Sequence, residues 1–337
     1  MGFYGQVQNL TNTPIDALDS AESMVGLGLT MEGQEGNEAI YTLSLDQAWS
    51  KEPLDVEEYF RKWVTRRYAG DNSIPDSLNR AWQTIRKTAY SAVIGDGPHL
   101  ASVPHQMQLA TPKLDAEPIV HYDHKAMVQA WLYMADAARQ EPRLWKNPAY
   151  KHDMLDISRQ VLENSFIPLY NAVVQAYTTK PYSPTSIRKT GAKLLALLST
   201  LDKLLSTNKN FSLDTWISAA RAQANGNQTV AAFMEYNARN QITHWGPNAE
   251  IVDYAAKSWG GLYGTYYLQR WKMWVEYLGK TRPGRYEQGD FEEMVRGFEE
   301  GWQWERWEER GVVETGGDVL EELLRVVVDE WPEVFRM

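Results

Sequence analysis

Apolar residues recur at helical spacing along most of the chain from Leu54 onward. Side chains three or four positions apart share one face of an α-helix, so this spacing indicates amphipathic helices. The first predicted helix opens with Asp55 and Glu58, which resemble a capping box, and ends before Gly70, a common C-terminal stop. The apolar face of this helix consists of Tyr59, Phe60, Trp63, Val64 and Tyr68.

The same spacing continues towards the carboxyl terminus. Further helices are predicted around 78–89, over 127–138, over 153–177 with a kink at Pro168, over 187–205, after the capping residue Ser212, and over 229–239, 249–278, 290–306 and 317–330. The glutamates of the last two helices favour a solvated helix face. Residues 95–121 are rich in Pro, Gly and His and predict a long loop, which is uncommon unless it is functional.

Residues 1–52 differ from the rest of the chain. They contain turn residues, a run in which Val25, Leu27 and Leu29 alternate with small residues, and a stretch over 40–49 that predicts a short helix. The alternating run predicts a buried strand, and Glu32 follows it among several glycines. Barrel enzymes keep catalytic side chains at the carboxyl ends of their strands, although a solvated loop glutamate fits the pattern as well.

Composition narrows the classes of function. The chain has 337 residues, of which 43% are hydrophobic, so it can bury a sizeable core. Its net charge of −10 argues against a nucleic-acid partner, which requires a basic surface. No apolar run approaches the length of a membrane span, and the absence of cysteine excludes disulfides and thiolate metal sites. The 14 Trp and 18 Tyr suit sugar-binding clefts and helix-packing cores equally.

Signals for the secretory pathway are mixed. The first residues carry neither a basic region nor an apolar region, so no signal peptide is expected there. Three Asn-x-Ser/Thr sequons are compatible with secretion, and they begin at Asn9, Asn210 and Asn227.

Two groups of residues are candidates for a functional site. His121 and His124, with Asp123 between them, have a spacing that metal ligands use, but no second cluster accompanies them and no metal site is expected. Trp245 precedes a Gly-Pro turn and a predicted helix carrying Ile251 and Tyr254. These three side chains form either a sugar platform or part of a helix-packing core.

Taken together, the two halves of the chain resemble glycoside hydrolase family 89, the alpha-N-acetylglucosaminidases. The resemblance extends from Gly2 to about Tyr277 and is looser over the last sixty residues. It is carried by Met24-Val25-Gly26, Glu32-Gly33, Asn37-Glu38, Tyr41, Arg66-Arg67-Tyr68, Ile157-Ser158-Arg159-Gln160, Asn237-Ala238-Arg239, Trp245-Gly246-Pro247, Asp253-Tyr254-Ala255, Tyr266-Tyr267 and Arg270-Trp271.

This resemblance implies a retaining hydrolase that releases terminal α-linked N-acetylglucosamine from glycans without a cofactor. Glu32 then matches the nucleophile, Trp245, Ile251 and Tyr254 match pocket residues, and His99 matches a pocket histidine. The family has a (β/α)8 barrel followed by an all-helical domain. Residues 1–52 are therefore expected to be the C-terminal remnant of a barrel and 53–337 the all-helical domain. A secreted or lysosome/vacuole-like location is also implied.

The chain departs from the family in one respect. Retaining glycosidases use two carboxylates about 5–5.5 Å apart, and the family's acid/base lies in an Asn-Glu motif on an earlier barrel strand. That motif does not occur here before Glu32, so the chain is expected to be a C-terminal part of the enzyme and inactive alone. The alternatives are a non-catalytic helical module that binds a glycan or a partner, and a chain that pairs with a separate N-terminal half.

Overall fold

The computed structural model describes residues 2–21, 23–30, 37–69, 73–92, 112, 122–306 and 317–335. Regular structure in these ranges is almost entirely helical, which confirms the prediction of a mainly α fold. The described residues contain one isolated parallel bridge, between Ser212 and Gly260. The α-helices are α1 (Val7–Ser20), α2 (Glu38–Gln47), α3 (Val56–Tyr68), α4 (Asp76–Lys87), α5 (His124–Gln140), α6 (Pro148–Asn164), α7 (Phe166–Thr178), α8 (Pro184–Leu205), α9 (Leu213–Ala222), α10 (Gln228–Gln241), α11 (Leu268–Lys280), α12 (Gln288–Trp304), α13 (Gly317–Glu330) and α14 (Pro332–Phe335).

The chain divides into two compact units. The first unit comprises Met1–Ala101, Ile119–Val161 and Leu320–Met337, and it holds α1 to α5, most of α6, most of α13, and α14. The second unit comprises Ser102–Pro118 and Leu162–Val319, and it holds α7 to α12. Each unit has its own set of packed helices.

Aromatic side chains of α3 and α4 form the centre of the first unit. The rings of Trp63 and Trp82 meet edge to face, with 4.7 Å between centroids. Trp82 Nε1 donates to the Tyr68 hydroxyl at 2.8 Å, and that hydroxyl donates to the buried carboxylate of Asp153. Arg67 neutralises Asp153 through two parallel hydrogen bonds, one of them 2.6 Å long. The buried polar groups of Trp82, Tyr68 and Asp153 are thus paired with one another and with Arg67, as burial requires.

The amino-terminal segment is attached to the first unit by side-chain amides. The Phe3 N–H donates to Gln160 Oε1 at 3.0 Å. Asn37 Nδ2 donates to the Gly2 carbonyl at 3.2 Å, and Asn37 Oδ1 accepts from the Tyr4 N–H at 3.1 Å. A single buried amide therefore joins the start of α2 to the beginning of the chain.

An ion pair adds to this attachment. Glu38, the first residue of α2, and His152 of α6 approach to 2.9 Å between Oε1 and Nε2. Burial lowers the pKa of His152, but the hydrogen bond to Glu38 and the neighbouring carboxylates outweigh it, so that this pKa lies above its usual 6.5. Burial raises the pKa of Glu38, but His152 and Arg67 outweigh it, so that this pKa lies below its usual 4.5.

Close helix contact organises the second unit. A Cβ placed on Gly191 of α8 would lie 2.3 Å from Cγ1 of Val275 in α11, so only glycine fits at this crossing. Trp271 and Trp274 of α11 are fully buried, and the Trp274 ring stacks on Tyr170 of α7 with 5.2 Å between centroids. The large aromatic side chains between α7 and α11 and the small Gly191 of α8 set how closely these three helices pack.

The segment before α11 differs from its prediction. A helix was expected over 249–278, but residues 249–255 form turns and helix begins only at Leu262, with a π-helical turn over Tyr263–Tyr267. Asp202 of α8 satisfies two N–H groups there, because its Oδ1 accepts from Gly261 and from Gly264 at 2.7 Å each. The apolar spacing predicted that the helix starts near residue 249, but with these tertiary hydrogen bonds it starts at Leu262.

The helix predicted over 153–177 is two helices. α6 ends at Asn164 and α7 begins at Phe166, with Ser165 between them. Pro168 cannot donate a hydrogen bond to the carbonyl four residues earlier, so the break falls in the turn before the proline. The predicted caps are confirmed: Asp55 accepts from the Glu58 N–H at 2.9 Å, and Ser212 accepts from the Asp214 N–H at 3.2 Å.

The prediction of a buried strand before Glu32 is wrong. Residues 23–30 contain no strand, Val25 is 100% exposed, and Leu27 and Leu29 are 41% and 40% exposed. A strand forms only by pairing with another, and the described residues offer no partner strand to this run. Helix α1, which lies in the part expected to be turns, was not predicted because Pro14 interrupts its pattern.

The contact between α8 and α11 leads to a stability prediction. Gly191→Ala should destabilise the protein by about 1–3 kcal/mol, because the added methyl group must displace Val275. Gly297→Ala in α12 is the matched control, since a Cβ there meets no atom within 4 Å. We expect the control to stabilise by about 0.5–1 kcal/mol. Urea unfolding measures both, and equal effects of the two substitutions would contradict the close crossing.

The Glu38–His152 pair leads to a pH prediction. Because folding raises the pKa of His152, its contribution to stability is complete below pH 6.5 and is lost as the pH rises through the folded-state pKa. Because folding lowers the pKa of Glu38, its contribution is present above pH 4.5 and is lost on acidification. A double-mutant cycle with Glu38→Gln and His152→Gln should therefore show stronger coupling at about pH 5.5 than at about pH 8.5. Coupling that is independent of pH would refute the charged pair.

Candidate functional site

Two of the predicted site residues lie outside the described part of the chain. Glu32 falls in 31–36 and His99 in 93–111, so their roles stay predictions. Within the second unit, the structure brings the other three together.

Trp245, Ile251 and Tyr254 form an exposed cluster, here called the aromatic platform. The Trp245 and Tyr254 rings meet edge to face at 5.8 Å between centroids. The Ile251 N–H donates to the carbonyl of His244 at 3.3 Å, which places the isoleucine beside the tryptophan. The three residues are 39%, 45% and 49% exposed in chain order. Large apolar side chains packed in a core would not retain such exposure, so the core-packing alternative is wrong for these residues.

The platform residues lie on a loop over 242–254, here called the platform loop. Ile251 and Tyr254 were expected on a helix that follows Trp245, but the loop turns repeatedly instead. Its residues Trp245, Ala249 and Asp253 have positive φ values of 50°, 56° and 60°, and Gly246 has a φ of 139°. Non-glycine residues adopt this conformation at an energetic cost and keep it only where surrounding contacts fix it.

Asn240, in the last turn of α10, supplies one set of these contacts. Its carbonyl accepts from the Trp245 N–H at 2.8 Å. Its side chain accepts from the Gly246 N–H at 2.8 Å and donates to the Gly246 carbonyl at 2.9 Å. The backbone around Trp245 is therefore held to the end of a helix.

A buried charge network supplies the second set. Arg270 Nη1 of α11 donates to Asp253 Oδ2 at 2.9 Å and to Glu299 Oε1 at 2.8 Å. Glu299 Oε2 lies 2.9 Å from Nε2 of His244. Arg270 also lies over the Tyr266 ring, 4.2 Å from its centroid. Since His244 and Asp253 each adjoin a platform residue, this network fixes the loop on both sides of Ile251.

Electrostatics favour the ionised form of Glu299. Burial raises the pKa of this carboxyl, but the hydrogen bonds from His244 and Arg270 and the charge of Arg270 outweigh it and hold the pKa below 4.5. The glutamates of α12 were expected to be solvated, and for Glu299 that expectation is wrong because it is only 5% exposed. Nothing in its local sequence distinguishes it from the exposed glutamates nearby, so only tertiary contact reveals its role.

A second cluster has the composition of a metal site. Ligand atoms of Glu38, His152 and Asp156 lie within 4.8 Å of one another in the first unit. Glu38 is already hydrogen bonded to His152, and Asp156 lies 2.6 Å from the buried Arg159 guanidinium. The charges of the cluster are thus balanced by protein groups, which identifies it as an ion-pair network.

Of the residues with metal-ligand spacing at 121–124, the structure describes Asp123 and His124. Asp123 serves as the N-cap of α5, where its Oδ1 accepts from the Lys125 N–H at 2.9 Å, and His124 is the first residue of that helix. His121 lies outside the described residues.

None of the helices built from the described residues is both long and apolar enough to cross a lipid bilayer.

Comparisons with known proteins agree over nearly the whole chain. Residues 59–327 match the model of the alpha-N-acetylglucosaminidase (NAGLU) C-terminal domain, and residues 1–51 match that of the NAGLU tim-barrel domain. The barrel domain is therefore represented only in part, as predicted. Human alpha-N-acetylglucosaminidase is 30% identical over 279 residues, which cover 82% of this chain and 36% of the human protein.

Solved structures share the fold. A family 89 glycoside hydrolase from Clostridium perfringens in complex with 2-acetamido-1,2-dideoxynojirimycin has a TM-score of 0.78 at 23% identity, covering 98% of this chain and 38% of that one. A double Glu-to-Gln variant from C. perfringens, bound to its substrate GlcNAc-alpha-1,4-galactose, has a TM-score of 0.75 at 22% identity, covering 98% of this chain and 38% of that chain. The chain thus spans little more than a third of the length of these relatives. The sequence match over four-fifths of its residues shows that this chain belongs to the alpha-N-acetylglucosaminidase family.

Proposed function

We propose that this chain contributes the nucleophile and the aromatic wall of a retaining glycosidase that releases terminal α-linked N-acetylglucosamine. The observation that carries the proposal is the aromatic platform, whose exposed rings stand on a strained and heavily supported loop. Aromatic faces stack on the apolar face of a sugar ring. Strain that the surroundings maintain is common at binding and catalytic sites.

In the proposed mechanism, Glu32 attacks the anomeric carbon and forms a covalent glycosyl-enzyme. A second carboxylate protonates the departing oxygen and afterwards removes a proton from the attacking water. Trp245, Ile251 and Tyr254 hold the N-acetylglucosamine ring by stacking and apolar contact. These steps use carboxyl groups alone, and no cofactor is required.

The proposed substrate is a glycan that ends in α-linked N-acetylglucosamine. Support comes from the C. perfringens relative, whose bound substrate is GlcNAc-alpha-1,4-galactose. A secreted or lysosome/vacuole-like location fits such a substrate. It also fits the exposure of the sequon residues Asn9, Asn210 and Asn227.

A partner polypeptide carrying the other barrel segments is part of the proposal. We assign 1–52 to the end of a (β/α)8 barrel and 53–337 to the helical domain. Apolar side chains of the first segment are exposed, among them Val25 at 100%, Trp49 at 93% and Leu45 at 55%. Exposed apolar surface of this kind is typical of an interface, and the remaining barrel is its proposed occupant.

Sugar binding provides the first test. The full chain should bind 2-acetamido-1,2-dideoxynojirimycin in a calorimetric titration, and Trp245→Ala should raise the Kd about tenfold by removing one stacking face. Trp49→Ala, which removes another exposed indole, should leave the Kd unchanged. Equal effects of both substitutions would contradict the platform.

Catalysis provides the second test. The chain alone should not hydrolyse an aryl α-N-acetylglucosaminide, whereas co-expression with the N-terminal part of a family member should give turnover. Glu32→Gln should then lower kcat on the order of 10⁴-fold or more, and Glu35→Gln in the same segment should retain activity. Turnover by the chain alone that depends on Glu32 would refute the need for a partner. Saturable binding without turnover in either preparation would favour a non-catalytic glycan-binding module.

A further inference from the structure

The backbone on both sides of Trp245 is held by one residue of α10. The peptide group before the Trp245 Cα is held through its N–H, which donates to the Asn240 carbonyl at 2.8 Å. The peptide group after it is held through the Gly246 N–H, which donates to Asn240 Oδ1 at 2.8 Å. With both flanking peptide planes fixed, the φ and ψ angles of Trp245, and hence the direction of its Cβ, are fixed as well.

Without these contacts, Trp245 would adopt a different backbone conformation. Trp245 has a φ of 50°, in the left-handed region that bulky residues rarely adopt. The third contact, from Asn240 Nδ2 to the Gly246 carbonyl at 2.9 Å, completes the pairing of both polar groups of that glycine. Within the loop, the Gly246 carbonyl also accepts a longer hydrogen bond from the Ala249 N–H, at 3.4 Å.

The adjoining residue, Gly246, also has a backbone conformation that favours glycine. Gly246 has a φ of 139°, and a Cβ placed on it would lie 1.9 Å from Glu250 Oε2. The turn at Gly246 therefore lies between the carboxylate of Glu250 and the amide of Asn240.

We infer that Asn240 is a positioning residue for the platform: its amide holds the Trp245 indole in the orientation that meets the sugar ring. The inference rests on the proposed function for the identity of the ligand, and on geometry alone for the orientation of the indole. Asn240 itself is half-buried beneath the turn and is given no contact with the substrate.

The test replaces the amide with a carboxylate of nearly the same shape. Asn240→Asp keeps the acceptor for the Gly246 N–H but sets an oxygen against the Gly246 carbonyl. Asn237→Asp is the matched control, because it adds the same charge one turn earlier on the exposed face of α10. The Trp245 indole signal in a ¹H–¹⁵N correlation spectrum, assigned with Trp245→Phe, reports the orientation without ligand.

The expected result is a shifted or doubled Trp245 indole signal in Asn240→Asp and an unshifted one in Asn237→Asp. The Kd for 2-acetamido-1,2-dideoxynojirimycin should rise about fivefold to tenfold in Asn240→Asp only. The Tm of that variant should fall by no more than about 2–4 °C, since only the two hydrogen bonds that Asn240 Nδ2 donates, to the Gly246 carbonyl and to Gln303 Oε1, are lost.

The outcomes separate this inference from the proposed function. A displaced indole in a protein that does not bind the iminosugar would uphold the positioning role and refute the sugar site. An unmoved indole with an unchanged Kd would overturn the positioning role and leave the sugar site intact. If Asn240→Asp shifts signals throughout the spectrum, the measurement is repeated with Asn240→Ala, which adds no charge. Global loss of structure in both variants would overturn the inference, because the residue would then maintain the fold and not the indole.

Discussion

The guanidinium of Arg270 has no exposed surface and lies between the carboxylates of Asp253 and Glu299. A buried cation is tolerated only when opposite charge and hydrogen bonds replace the water it has lost. The two carboxylates come from the platform loop and from α12, while the arginine comes from α11. Satisfying one charge therefore fixes three separate segments of the second unit. Removal of any member leaves a buried charge with one partner fewer.

The platform loop depends on this constraint and on Asn240. Its positive φ values at Trp245, Ala249 and Asp253 each raise the energy of the folded state. The contacts of Arg270 and Asn240 offset that energy, and the outcome is a pair of aromatic rings that stay partly exposed. Aromatic side chains normally lower the free energy of a protein by burial, so their exposure on a rigid support is what a ligand-binding surface requires.

The residues that match the barrel model are joined to helices of the same unit by specific polar contacts. Asn37 pairs with Gly2 and Tyr4, Phe3 with Gln160, and Glu38 with His152. Asn37 and Glu38, the described residues that follow Glu32 most closely in the sequence, are held in this way. Helical side chains at 152 and 160 thus contact described residues of the barrel match, although these side chains belong to a different family model.

The sequence by itself determined the helices whose apolar spacing and caps are local, such as α3 with Asp55 and α9 with Ser212. It also indicated the family and the platform residues, because rare aromatic motifs keep their spacing along the chain. Only the tertiary structure decided that 249–255 are turns, that Val25 is exposed and not in a strand, and that Glu299 is buried. The physical reason is that a strand, a strained loop and a buried ion pair each depend on partners distant in sequence, and no local pattern of apolar and polar residues records those partners.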